Sequence, residues 1–242
     1  MPRKHAQIPT VIFLGPPGSG KGTQAARLSN ELGIPAISTG EMLRRECRSG
    51  SPLGRAVQSI LSSGQLVSDE LMNQVVASRL RERDCRAGCI LDGYPRTVAQ
   101  ARFLDTLLGG LQMRRPIVFD FEISCEEIVG RLSRRRQCAE CGRIFSVEPE
   151  KAAEKLTCER DGSPLVERAD DNPDTVRERL RQHERNAAEL VHYYRDQDYH
   201  RICATRGADE ICDELLNLVA DSWPMPMVSR AAAVPLPASL RA

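Results

Sequence analysis

The run Gly15-Pro16-Pro17-Gly18-Ser19-Gly20-Lys21-Gly22-Thr23-Gln24, directly after the apolar stretch Val11-Ile12-Phe13-Leu14, limits the possible folds of this 242-residue chain more than any other segment. A strand that ends in such a loop and passes straight into a helix aims a row of backbone N–H groups into one small concavity, a ready seat for an anion. Glycine is needed where a Cβ would block that approach, and Lys21 adds a charge that can reach the β and γ phosphates of a polyphosphate. The pattern predicts a nucleotide held by Gly18, Ser19, Gly20, Lys21, Gly22 and Thr23. In its general form the residue after the lysine is Ser or Thr, whose hydroxyl coordinates magnesium. Here that residue is Gly22, with Thr23 one place later, so magnesium is expected to be held mostly through water and by the nucleotide itself.

Further short apolar runs, at 36–38, 89–91, 117–122 and 201–204, alternate with helical patterns. Such alternation predicts an α/β protein with a parallel sheet covered by helices on both faces. Ligands then belong at the carboxyl ends of the strands. Ser38-Thr39-Gly40, Asp92-Gly93-Tyr94-Pro95-Arg96 and the phosphate loop all follow such runs, so separate segments are expected to converge on one crevice. A net charge of +1 gives no support for general nucleic-acid or membrane binding, so local arginine clusters are read as sites. The apolar runs are too short to span a bilayer, and Met-Pro-Arg-Lys-His leads into a strand rather than a secretory segment; a cytoplasmic location is expected.

Two pieces interrupt the alternation. Residues 39 to about 67 read as a helical insertion, with one helix opening at Glu41-Met42-Leu43-Arg44 and Gly50-Ser51-Pro52-Leu53-Gly54 separating it from the next. From about 134 to 171 the composition turns to Cys, Gly, Pro and charge, too few apolar residues for a core of its own. Cys138-x-x-Cys141 followed by Cys158-x-x-Asp161 has the two-knuckle layout of a structural zinc ribbon, with a carboxylate in the fourth place and Glu159 as the weaker candidate there. Zinc–thiolate bonds would supply the folding free energy the segment lacks. The other cysteines, 47, 85, 89, 125, 203 and 212, are expected to be small apolar fillers.

Gly-Pro-Pro-Gly-Ser-Gly-Lys-Gly-Thr-Gln, Ser-Thr-Gly-Glu-Met-Leu-Arg, Gly-Gln-Leu-Val, Asp-Gly-Tyr-Pro-Arg and Arg-Ala-Asp-Asp-Asn follow one another in the order found in long-lid, zinc-containing bacterial adenylate kinases. The chain resembles that branch of the P-loop nucleoside monophosphate kinases from about residue 10 to 221. The resemblance implies a P-loop NTPase three-layer fold with a central parallel five-stranded sheet. It implies a core of residues 1–37, 68–133 and 172–224, an AMP-binding insertion at 38–67, a zinc-bearing lid at 134–171, and a disordered tail at 225–242. By the same resemblance Thr39 and Arg44 contact AMP, Gln65, Leu66 and Val67 line its pocket, Gly93, Tyr94, Pro95 and Arg96 hold its phosphate side, and Gln100 reads adenine. An amide suits that last task, since it both donates and accepts. Arg131, Ile144, Phe145 and Asp209 are implied around the ATP base.

The arginines also make sense physically. Bringing two phosphate chains together concentrates negative charge, and once attacking and leaving oxygens are aligned the protein's work is mainly positioning and charge stabilisation. Lys21, Arg96, Arg135, Arg168 and Arg179 are the expected catalytic set, with Arg168 and Arg179 also on the AMP side and Arg135 also on the ATP side. Asp92, ending an apolar run, suits a residue that orients water around magnesium. Asp170 and Asp171 are expected either to pair with Arg135 or neighbouring lid groups, or to form an Asx turn before Pro173. Glu41 stands where the family usually has Asp, Tyr94 where it has Phe, and Arg134 where it has Gly; the last leaves the register of Arg134, Arg135 and Arg136 open. The reading is of a monomeric enzyme acting on ATP, AMP and ADP, with Mg2+ and structural Zn2+ as cofactors. Its rivals are a kinase of another monophosphate or with GTP as donor, and a nucleotide-controlled zinc-ribbon protein that binds nucleic acid.

Overall fold

The computed structural model describes residues 9–148 and 156–223; the tail expected at 225–242 lies outside them, as do parts of the expected core (1–8 and 224) and lid (149–155). Five strands, β1 (Val11–Leu14), β2 (Ala36–Ser38), β3 (Ile90–Asp92), β4 (Ile117–Glu122) and β8 (Tyr199–Cys203), form one sheet in the order β2-β3-β1-β4-β8. Every pairing in it is parallel. The last strand starts at Tyr199, two residues earlier than its apolar content indicates, because pairing with Val118 extends the ladder back to that point.

Period-two alternation sorts the strand residues between two cores. Val11 and Phe13 of β1, Ile117, Phe119 and Phe121 of β4 and Ile202 of β8 face one side, where α1 (Lys21–Leu32) contributes Ala25 and Leu28 and α8 (Ala208–Ser222) contributes Ile211, Leu215 and Val219. Ile12, Leu14, Leu91 and Val118 face the other, against Val76 and Leu80 of α4 (Asp69–Leu80), Ala101, Leu104 and Leu108 of α5 (Val98–Gly110), and Leu190 and Tyr194 of α7 (Pro173–Tyr194). The result is the expected three layers. All strands of a parallel sheet point their carboxyl ends the same way, so the loops after β1, β2, β3 and β4 share one edge.

The helical insertion is α2 (Thr39–Ser49) and α3 (Pro52–Ser62). The break between them is shorter than the sequence indicates: α3 already begins at Pro52, with Ser51 Oγ capping the Gly54 N–H at 2.9 Å. Gly54 is therefore a packing glycine and not a breaker. A Cβ there would stand 2.0 Å from the Glu46 carbonyl oxygen of α2. Gly54→Ala is expected to lower stability by about 1–3 kcal/mol by forcing the two helices apart, whereas Gly109→Ala, on α5 with nothing within 4 Å, is expected to be neutral or mildly stabilising. Thermal unfolding midpoints of the two variants check this.

A second sheet, antiparallel and three-stranded, is built from β5 (Arg135–Cys138), β6 (Ile144–Ser146) and β7 (Leu165–Val166) in the order β6-β5-β7. It is entered directly from α6 (Cys125–Arg134) and left through Asn172, whose side-chain oxygen caps α7 by accepting from the Thr175 N–H at 2.9 Å. Among the described residues no helix is long and apolar enough to cross a membrane.

Candidate active site

α1 begins at Lys21 behind Gly20, with no side-chain cap and no acidic residue in its first turn. Its first N–H groups thus keep their hydrogen-bonding capacity for an anion. The loop feeding it winds through left-handed glycines: Gly15, Gly18 and Gly20 have φ of 125°, 81° and 95°. At Gly15 a Cβ would also stand 2.6 Å from the Phe121 carbonyl oxygen, so the loop is pressed onto the end of β4. Lys21 lies across its own loop, donating to the carbonyls of Gly15 (2.8 Å) and Pro16 (2.6 Å) and to Ser19 Oγ (3.1 Å). Burial lowers its pKa to about 8; Asp92 and Asp120 oppose the drop, while Arg96 and Arg179 add to it. A Cβ on Gly22 would face Asp92 Oδ2 at 3.4 Å, so the position where a hydroxyl usually stands looks directly at the carboxylate that ends β3.

A cleft of about 920 Å3 opens over this loop, large for a small-molecule site. Gly18 through Thr23, Arg44, Leu66, Asp92, Gly93, Pro95, Arg96, Arg131, Arg135, Ile144, Phe145, Arg168 and Arg179 all line it. Six expected residues sit off its wall. Thr39 is buried and donates to the Gly93 carbonyl at 3.1 Å. Val67 and Tyr94 pack in the core, Tyr94 donating to Asn73 Oδ1 at 2.6 Å. Gln65 also stands off the lining. Gln100 is buried, its Oε1 accepting from the Arg96 N–H at 2.8 Å and its Nε2 donating to Asp69 Oδ1 at 2.7 Å. Asp209 points outward and pairs with Arg27.

Of the three consecutive arginines, Arg135 faces the cleft; Arg134 donates back to the Gly130 carbonyl at 3.0 Å, and Arg136 pairs with Glu167 at 2.9 Å. Arg135 forms a two-pronged pair with Asp171, its Nε donating at 2.7 Å. Asp170 lies between Arg179 (3.0 Å) and Arg44 (3.7 Å). Burial works to raise the Asp170 pKa, but Arg179, Arg44 and Arg168 outweigh it and hold the carboxyl below its ordinary value. Of the two alternatives for this segment, ion pairing is the one found; the cap before Pro173 is Asn172. Arg131 ties the phosphate loop to the end of β8, donating to the Ser19 carbonyl at 3.4 Å and to the Ala204 carbonyl at 2.7 Å.

The antiparallel sheet carries Cys138, Cys141, Cys158 and Asp161 with ligand atoms within 4.8 Å of one another. Tetrahedral zinc with bonds of about 2.3 Å to sulfur and about 2.0 Å to oxygen requires S···S edges of roughly 3.8 Å and S···O edges of roughly 3.5 Å. Cys141 Sγ and Cys158 Sγ are 3.7 Å apart, and Cys138 Sγ is 3.4 Å and 3.5 Å from the two Asp161 oxygens. The four side chains fit the ion, and Glu159 is outside the cluster. This knuckle touches the cleft: the Gly142 carbonyl accepts from Gln137 Nε2 at 3.0 Å, and Gln137 Oε1 accepts from Arg168 Nε at 2.9 Å. On the opposite wall, a Cβ on Gly142 would lie 3.6 Å from Glu41 Oε1.

Asp120 and His183 also line the cleft and escaped sequence reasoning. Asp120, whose pKa burial raises, accepts from the Tyr199 hydroxyl at 2.7 Å; its signal was a carboxylate between the apolar residues Phe119 and Phe121. His183 stands one helical turn after Arg179, so the four-residue spacing places both on one face of α7.

Comparison with known proteins gives a consistent family. Residues 13–199 match the family model for adenylate kinase. The chain is 43% identical over 214 residues to an adenylate kinase of Thermosipho africanus, covering 86% of this chain and 98% of that one. It is 45% identical over 187 residues to an adenylate kinase of Anaeromyxobacter dehalogenans, with coverages of 77% and 87%, and 44% identical over 185 residues to one of Archaeoglobus fulgidus, with coverages of 76% and 85%.

Proposed function

The chain belongs to the adenylate kinase family and is an ATP:AMP phosphotransferase, and from that premise we propose how its residues divide the work of converting MgATP and AMP to two ADP. Lys21 and the N-terminus of α1 hold the donor phosphates, with Gly18 to Thr23 as their cradle. Arg44 and Arg96 hold the AMP phosphate, and Arg135, Arg168 and Arg179 span the transferring group. The observation that carries this division is that one cleft gathers Lys21 from the core, Arg44 from the insertion, and Arg135 and Arg168 from the lid. Bidentate guanidinium groups fix phosphate oxygens in direction as well as position, which suits an in-line transfer with no covalent enzyme intermediate. Magnesium travels with ATP, and Asp92 beside Gly22 would orient its water.

Arg131 of α6 and Ile144 and Phe145 of the lid (134–171) serve the ATP base, while the insertion (38–67) brings Leu66 to the AMP side of the cleft with Thr39, Gln65 and Val67 behind it. Gln100, buried behind the cleft wall, positions Arg96 by accepting its N–H and is itself held by Asp69; its assignment to adenine rests on the family pattern. The Cys138, Cys141, Cys158 and Asp161 cluster is a closed structural zinc site, supported by its tetrahedral edge lengths. We read the enzyme as a cytoplasmic monomer whose single chain supplies every group named. The test is coupled ADP formation with each monophosphate and with GTP as donor: AMP with ATP is expected to be preferred by at least about 100-fold. Strong activity on CMP or UMP with none on AMP would overturn the assignment.

A further inference from the structure

α7 enters the cleft with Arg179 and, one turn later, His183, on the same face of the helix. The imidazole is half-buried among cations: Lys21 from α1 and Arg96 from the loop after β3 act on it, and Arg179 precedes it on its own helix. Asp92 and Asp120 enter the same electrostatic group through Lys21. Among the described residues the ring makes no hydrogen bond, although every arginine around it does. A polar ring without a partner, facing a phosphate cleft from between its cations, is placed to meet the phosphates themselves.

We infer that His183 is a further phosphate ligand of this cleft, a neutral ring in the free enzyme that takes up a proton from solvent when nucleotide phosphates enter. Burial, then Lys21 and Arg96, lower its pKa to about 4, so the free ring does not add to the repulsion already present among the cations. Phosphates reverse the sign of the local field, and an anion within reach raises a histidine pKa by about 1–3 units per charge. The new N–H bond forms at the unprotonated ring nitrogen with a solvent proton; no other bond breaks, and the imidazolium then donates to a phosphate oxygen. The inference rests on the reading of Lys21, Arg96 and Arg179 as phosphate ligands, and extends it to a residue that titrates.

The experiment uses the full chain with diadenosine pentaphosphate, which fills both nucleotide sites. Nitrogen-15 spectra of the four histidines, with His183 assigned by its loss in His183→Gln and independently in His183→Asn, are recorded free and bound. The His183 ring is expected to be neutral at pH 6.5 when free and protonated when bound. Calorimetry at pH 6.5 in buffers of differing ionisation enthalpy is expected to show uptake of about half a proton or more by the wild type, absent from both variants. A ring that stays neutral in the complex, or equal proton uptake in wild type and variants, overturns the inference. Failure of the underlying reading looks different: Lys21→Met would then bind the same inhibitor as tightly as the wild type does.

Discussion

Replacing Lys21 by Met is expected to lower turnover by roughly three orders of magnitude while leaving the unfolding midpoint at pH 7 unchanged or higher. Among the described residues the ammonium is the one amine of the cleft's cations, and no guanidinium can take over its position at the start of α1. Its loss therefore falls on the transition state, where charge on the transferring group is greatest. The fold has little to lose, because burial, and then Arg96 and Arg179, disfavour the cation by more than Asp92 and Asp120 favour it. Its lowered pKa fixes the sign of the pH dependence. With a folded value of about 8 against an ordinary 10.5, the unfolded chain binds more protons between those two values, so native stability rises with pH across that window. Nucleotide affinity moves the opposite way, falling as pH rises through about 8 and the ammonium is lost. Both trends are expected to vanish in Lys21→Met. Coupled assays and thermal unfolding from pH 7 to 10 test this, and a variant with wild-type turnover would sink the role of Lys21.

Removal of zinc is expected to unfold the lid while sparing the core. The antiparallel sheet has strands of two to four residues and few buried apolar side chains of its own, so the proposed metal bonds would stand in for a hydrophobic core. Cys158→Ala, at a buried position, is expected to drop bound zinc from about one ion per chain to near zero. Amide exchange should then be fast at 135–146 and slow as before in β1, β3 and β4. Activity should fall at least about tenfold, because the route from the knuckle through Gln137 to Arg168 is severed. Asp161→Ala is the finer test: unchanged zinc content and stability would remove that carboxylate from the ligand set.

The sheet could be read from sequence because its signal is local: Val11 to Leu14 is apolar throughout, as a strand buried on both faces must be. The phosphate loop was readable for the same reason. Gly54 was misjudged because its role depends on Glu46, eight residues away across a helix pair that periodicity does not reveal. Tyr94 belongs to a motif and Gln100 is assigned by resemblance, yet neither says which way a side chain turns; one points into the core and the other binds Asp69. The resemblance points to Arg135 with its register open; the direct passage of α6 into β5 is what turns Arg135, and not Arg134 or Arg136, to the cleft. Asp120 and His183 carry no motif. Their place in the cleft is set by the carboxyl edge of the sheet and by the packing of α7 against it.

The carboxylates of Asp170 and Asp171 have a consequence of their own. They are resident counter-ions, held against Arg44, Arg135 and Arg179 by the chain itself. If these arginines hold phosphate as proposed, a nucleotide that enters would exchange with the carboxylates, much as an analyte displaces the bound ion on an exchange resin, with few ions from the surrounding salt taking part. Binding should therefore depend on salt less steeply than the same arginines on an open surface would make it. A polyanion that fits too loosely to turn both carboxylates out gains little from the arginines, so the cleft sorts its visitors by shape even while it attracts them by charge.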